Sequence, residues 1–337
     1  MAGSYFLSGP LPLPGSGNTI KFTQFTSNDT WTKDANAQWV TCVIWNGGAG
    51  GGSGRKGAST AAGGGGGGAA GNVMIYSASA NLFSATESIT IGAGGAGGAA
   101  VAADNTDGND GSTVGTQSLV GNMGPSLLSF NATTLGGGGG VTTTSASTAF
   151  GGIYTNGLYG VGNQQVNFTN SSIAPLFSIG RGRNVDGDSP TNIGDYIGST
   201  ISSYWSYNYA PGYGGGGGGA DTVTERSGGT GSSILFGDQT TMLAGGTAGL
   251  ESTTINGGNG SDFVLPVSGA IFGGSGGGGG GGYSVGAMGA TAGGNGGNGG
   301  IPGGGGGGGG GGLNAVANSG AGGAGGRGEV WIYEILG

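Results

Sequence analysis

Three carboxylates, Asp186, Asp188 and Asp195, fall close together in the segment RGRNVDGDSPTNIGDY (181–196). Glycoside hydrolysis runs on paired carboxylates, so cleavage of a polysaccharide is one chemistry open to this chain. Proximity in sequence sets no distance between the carboxyls, however, and the chain has no histidine to serve as the usual general base. Its one cysteine, Cys42, lies inside the apolar run QWVTCVIW (38–45) rather than beside a base. The chain therefore reads as a non-enzyme, with no catalytic residue.

Metal and phosphate motifs fare no better. GGNGSDFVL (257–265) matches the calcium-binding nonapeptide GGxGxDxUx, but that fold needs stacked copies and this is one. DNTDGNDG and DGDSP read as Asx-type turns before they read as cation sites. GSGRKGAS lacks the spacing of a P-loop, and GxGxxG carries no information in so glycine-rich a chain. No metal or other cofactor is expected.

Aromatic residues have more to offer. Tyr154, Tyr159, Tyr204, Trp205, Tyr207, Tyr209 and Tyr213, with Arg181 and Arg183, are the expected binding set. Tyrosine and tryptophan give large contact area at low ordering cost, and sugars or protein loops are their natural partners. Extended backbone in SSYWSYNYAPGYG (202–214) sets Tyr204, Ser206 and Asn208 against Trp205, Tyr207 and Tyr209, which leaves one face of rings open. The arginines suit an anionic group of a ligand or the neighbouring aspartates. The competing role for any single ring is a small cluster that pins this stretch to the rest of the protein.

Those residues must be held by a chain with 95 glycines among 337 residues and only 7% charged residues. Such a composition is typical of disorder, yet disordered chains are charged and poor in rings, and this one is the reverse. Within the tracts the outward residues fall three apart. Asn46, Ala49, Gly52 and Arg55 do so, as do Ala93, Ala96 and Ala99; Ala292, Asn295, Asn298 and Ile301; and Ala321, Ala324 and Arg327. Period three fits neither an α-helix nor a strand but matches the left-handed polyproline II helix. Collagen is excluded because the periodic tracts are short and proline is scarce. A glycine helix of this kind has outward backbone groups that only neighbouring helices can satisfy, so the tracts must form a bundle. The bare runs Gly63–Gly68, Gly214–Gly219, Gly276–Gly282 and Gly303–Gly312 belong in its interior, and the decorated tracts on its outside.

Strands are expected at QWVTCVIW (38–45), NVMIY (72–76), ESITI (87–91) and EVWIYEI (329–335), rich in β-branched and aromatic residues. The first of these is apolar on both faces and should be covered on both. No segment has the period or caps of an α-helix. A weak internal repeat, GSTVGTQSLVG (111–121) and GSSILFGDQTTMLAGG (231–246), supports a single unit. The expected fold is mainly irregular and all-β: a bundle of polyglycine II helices capped by a small β-sandwich, with loops at the far end. The expected organisation is an N-terminal attachment segment over 1–24 and a sandwich-plus-bundle domain over 25–337. Residues 141–211 form an inserted aromatic-rich loop region.

A net charge of −8 argues against a nucleic-acid partner. No secretory signal or membrane-inserting segment is read, and a lone cysteine builds no disulfide framework.

FTSNDTWTKDANAQWVTCVIWNGGAGGGSGRKGA (25–58), SITIGAGGAGGA (88–99) and GGAGGRGEVWIYEI (322–335) resemble segments of the glycine-rich tail-fibre proteins of tailed bacteriophages, a class that includes host-recognition adhesins. The resemblance implies polyglycine helices stacked as a sandwich whose end loops bind a bacterial surface receptor, lipopolysaccharide or an outer-membrane protein. It also implies other virion tail proteins as partners, with a homo-oligomer open, and a place in the virion tail after synthesis in the host cytoplasm. Asp34 stands where the family's "TWTKP" has proline, and MAGSYFLSGPLPLPG does not resemble the attachment domain of T-even phages. The competing functions are a structural tail or fibre component without receptor contact, a polysaccharide-cleaving enzyme and, remotely, an ice-binding bundle.

Overall fold

A computed structural model of the chain describes residues 19–58, 62–71, 73–112, 116–121, 177–179, 211–220, 227–235, 241–250, 255–264, 273–283 and 291–337. Among them the secondary structure is strand and irregular chain, with one short 3-10 turn at Ala80–Leu82 and no α-helix. The strands are β1 (Thr19–Phe25), β2 (Asp29–Thr32), β3 (Ala37–Trp45), β4 (Lys56–Gly57), β5 (Val73–Ser79), β6 (Thr86–Thr90), β7 (Leu119–Val120), β8 (Phe177–Ile179), β9 (Ile234–Leu235), β10 (Thr241–Leu243), β11 (Gly312–Leu313) and β12 (Glu329–Leu336).

Two sheets share one core. The larger runs β1-β12-β3-β5-β8 with antiparallel pairing throughout; the smaller runs β2-β6-β7. Alternation along the strands sends Val40, Cys42, Ile44, Tyr76, Val330 and Ile332 towards Trp31, Phe83, Ile89 and Val120, and all of these are buried. Trp31 meets Phe83 edge to face at 5.6 Å. The opposite face of the large sheet is covered too: Val43, Trp45 and Trp331 are fully buried, and Phe263 stacks on Trp331 at 5.8 Å. β3 thus has apolar residues on both faces because both faces are covered.

The last strand is tied in by two buried carboxylates. Glu334 accepts from the Asp34 backbone N–H at 2.6 Å and Trp31 Nε1 at 3.4 Å, and it lies 3.4 Å from Lys21 Nζ. Glu329 accepts from Gln24 Nε2 and Trp331 Nε1 and pairs with Arg327. Each carboxylate is hydrogen-bonded and ion-paired, which offsets the desolvation cost of burying it. β1 pairs with β12 from Thr19↔Leu336 to Phe25↔Val330, so residues 19–24 belong to the sheet, across the boundary expected after residue 24.

Glycine tracts extend from this two-sheet end and bond to one another through their backbones. Within Gly303–Gly312 each phase of a three-residue period serves a different neighbour. The N–H groups of Gly306, Gly309 and Gly312 donate to Ala49, Gly52 and Arg55; those of Gly305, Gly308 and Gly311 donate to Gly212, Gly215 and Gly218; and those of Gly304, Gly307 and Gly310 donate to Gly300, Gly297 and Gly294. The same run accepts from Gly65, Gly68 and Gly71 on another side and from Gly320, Gly323 and Gly326 on another. Gly276–Gly282 is enclosed in the same way. All of the bare runs are buried. A Cβ at Gly307 would run into the Gly278 carbonyl oxygen, well inside van der Waals contact.

The decorated tracts mostly lie outside, with Ala93, Ala96, Asn256, Asn259, Asn295 and Asn298 exposed. Tract 46–57 departs from the expectation. Asn46, Ala49 and Arg55 are buried, because this tract bonds to 62–71, 93–98, 106–112, Thr116, 303–312 and 318–326. Its polar side chains are partnered in part: Asn46 Oδ1 accepts the Ser118 N–H and Arg55 pairs with Asp107, while Asn46 Nδ2 and Arg55 Nε are buried without a hydrogen-bond partner among the described residues.

Side-chain hydroxyls and amides satisfy further backbone donors. The oxygens of Ser53, Ser118, Ser232, Ser275 and Ser319 accept the N–H groups of Asn109, Gly92, Tyr213, Ser261 and Val101. Asn256, Asn259 and Asp262 accept through Oδ1 from the N–H groups of Asn295, Asn298 and Ile301 at 2.8–2.9 Å. Asn295 and Asn298 pass the pattern on to Ala321 and Ala324 at 2.9 Å. The period-three residues are therefore lateral braces between tracts as well as surface decoration.

Candidate functional site

Tyr154, Tyr159, Arg181, Arg183, Tyr204, Trp205, Tyr207 and Tyr209 lie outside the described residues, as do Asp186, Asp188 and Asp195. Tyr213 is described and is 3% exposed, and its own N–H and carbonyl bond to the Ser232 hydroxyl and N–H, so it is buried and not part of an open surface. Two described pieces show where the aromatic-rich region joins the fold. β8 pairs with β5 at one edge of the large sheet, and Pro211 abuts Gly273 and Gly303. Gly303 bonds to Gly71 and Arg327, the residues leading into β5 and β12, so the tract leaving that region starts at the sheet end and not at the far end.

The far end carries its own site. Val101–Thr106 and Leu313–Asn318 lie side by side there, beyond the tracts that end near Lys56 and Gly312. Asn105 N–H donates to Asn314 Oδ1 at 3.0 Å while Asn314 Nδ2 donates to Asn105 Oδ1 at 2.6 Å. Asp104 accepts from the Ala315 N–H at 3.1 Å and pairs with Lys56 Nζ at 3.0 Å; Lys56, itself 7% exposed, also donates to the Ala102 carbonyl at 2.9 Å. The Ala315 N–H, with Lys56 second, holds the Asp104 carboxyl below the usual carboxylate range.

Asn105 and Ala315 both have φ of 54°, in the left-handed region. Asparagine tolerates it, but alanine there stores strain of about 1 kcal/mol, and the Asp104 bond to its N–H helps hold it in place. Beside it Val316 is 59% exposed. The result is a fixed ridge of paired amides and one carboxylate with an exposed apolar side chain beside it. Sequence reasoning identified DNTDGNDG as turns and missed that its acids and amides meet NAVAN (314–318). The only signal available was the shared Asx content of the two loops.

Two other motifs resolve structurally. In 257–265 the flanking Asn256, with Asn259 and Asp262, spends its Oδ1 on neighbouring N–H groups, so the nonapeptide match reflects tract bracing. Cys42 is fully buried, and burial pushes its thiol well above the ordinary range.

No known family model matches the chain, and no curated protein matches it.

Proposed function

We propose that the chain is a virion tail-fibre adhesin of a bacteriophage that attaches to a bacterial surface receptor, lipopolysaccharide or an outer-membrane protein. In this reading the tracts are polyglycine II helices, the two-sheet end is a β-sandwich cap, and the bundle is a stiff, nearly uncharged platform. At about 3.1 Å per residue the run Gly303–Gly312 carries the far-end loops roughly 30 Å from the cap. The supporting observation for the helices is the period-three sharing of backbone bonds among several neighbours.

The supporting observation for recognition is the braced pair of far-end loops with Asp104, Asn105, Asn314 and Val316 at the tip. Long, ring-rich insertions in compact proteins also tend to be functional, so the stretch 141–211 stands as a second contact region. The test compares host-cell adsorption of the purified protein with two variants, deletion of residues 153–209 and the far-end change Asn314→Ala with Val316→Asp. Loss of adsorption in either variant, with tryptophan fluorescence unchanged for the far-end change, supports an adhesin and identifies the contacting region. Adsorption retained in both would favour a structural tail component instead.

A further inference from the structure

Asn256, Asn259, Asn295 and Asn298 are each followed by glycine, and all four asparagines are exposed. Asn–Gly is chemically the most labile asparagine context. The glycine nitrogen, having lost its proton to water or hydroxide, forms a bond to the asparagine Cγ. The Cγ–Nδ2 bond breaks and ammonia leaves, giving a cyclic imide. Water then opens the imide to aspartate or to isoaspartate, which adds a carbon to the backbone. In a period-three tract that extra atom would shift every residue beyond it out of register with its neighbours.

The structure places both reacting groups of each pair under the same restraint. Asn256 Oδ1 accepts the N–H of Asn295 at 2.8 Å, and the Gly257 N–H donates to the carbonyl of that same Asn295 at 2.8 Å. Asn259 with Gly260 clamps Asn298 in the same way, Asn295 with Gly296 clamps Ala321, and Asn298 with Gly299 clamps Ala324, all at 2.8–2.9 Å. Each pair therefore grips one residue of the next tract by its N–H and its carbonyl together. Ring closure needs the glycine nitrogen to give up that hydrogen bond and turn towards Cγ, and it needs the side chain to rotate away from its own partner.

We infer that these four Asn–Gly pairs are latent deamidation sites held unreactive by the inter-tract clamp, and that opening a clamp converts its own asparagine selectively. Exposure to solvent does not protect them; the paired hydrogen bonds do. The tract face is thereby stable to slow chemical ageing while folded and vulnerable once a tract peels away.

The experiment incubates the full chain at mildly alkaline pH, folded and in concentrated urea, and follows amide-to-acid conversion at each asparagine by peptide mass spectrometry. Conversion at the four sites is expected to be slower by about tenfold or more in the folded protein, since both clamping bonds must open first. Ala321→Pro removes only the N–H that Asn295 accepts and keeps the φ of an extended threefold tract. It should raise conversion at Asn295 severalfold and leave Asn256 and Asn259 at the slow rate, with intact folding checked by tryptophan fluorescence. Ala324→Pro should do the same for Asn298. Equal rates in folded and unfolded protein, or folded proline variants with no selective rise, would overturn the inference. Should neither variant fold, the folded-to-unfolded ratio of the natural chain decides it alone.

Discussion

The two-sheet end and the tract region are held together by opposite means. At the two-sheet end, large side chains supply the cohesion: Trp31, Ile44 and Ile332 are almost wholly buried between the sheets, and Trp45 and Trp331 on the opposite face of β3 and β12. In the tracts the absence of side chains is what permits cohesion, because neighbouring backbones approach closely enough to exchange N–H···O bonds on every side. Ordering a glycine costs more than ordering any other residue, and a hydrogen bond returns only about 0.5–1.5 kcal/mol, so a tract is stable only when surrounded. The sheet end should thus be sensitive to losing atoms and the tract interior to gaining them.

The sharpest way to break that contrast is Gly307→Val. Its branched side chain would be driven into the Gly278 carbonyl, and the expected destabilisation is about 4–5 kcal/mol or outright loss of folding. Introducing the same side chain at an exposed position, Ala96→Val, should stay within about 0.5 kcal/mol. Comparable chemical-denaturation midpoints for the two would refute the distinction. Trp331→Ala is the converse at the sheet end, emptying the space between Trp45 and Phe263 at an expected cost of about 3–5 kcal/mol in urea unfolding.

A smaller effect separates bracing from decoration. Asn298→Ala removes the acceptor for the Ala324 N–H and should cost about 1 kcal/mol, whereas Asn298→Asp keeps an acceptor and should cost less. The smallest effect is one of pH. Asp104 has its pKa lowered in the folded protein, so its contribution is fully present above the unfolded value near 4 and is lost as pH falls through the lower folded value. Protection of the Ala315 amide, relative to its intrinsic exchange rate at each pH, should therefore fall on acidification through that window, and protection that merely followed the global acid dependence would argue against the Asp104 clamp.

Much of this contrast was legible in the residues themselves. Dense β-branched and aromatic runs located β3, β5, β6 and β12 to within a few residues, and uninterrupted glycine marked the buried runs. What was hidden depended on partners distant in the chain. Tract 46–57 has the same period-three pattern as the exposed tracts, yet Asn46 and Arg55 are buried because Ser118 and Asp107 meet them there. β1 alternates only weakly, TIKFTQF, and is a strand because β12 supplies its bonding edge. The bracing role of Asn256, Asn259 and Asp262 was invisible for a related reason: spacing fixes which edge a side chain occupies but not which neighbour's N–H it receives. Nor did glycine runs disclose their direction, and so the tract from Pro211 could not be assigned to the sheet end.

The pairing of Thr19 with Leu336 has a mechanical consequence. Pulled apart at those two positions, β1 and β12 would separate like a zipper, one rung at a time and under modest force. Tension entering at Thr19 and leaving through the loop at Asn314 would instead run lengthwise along strands and tracts, loading many rungs together in shear. The fold would resist a pull between Thr19 and Asn314 far better than one between Thr19 and Leu336.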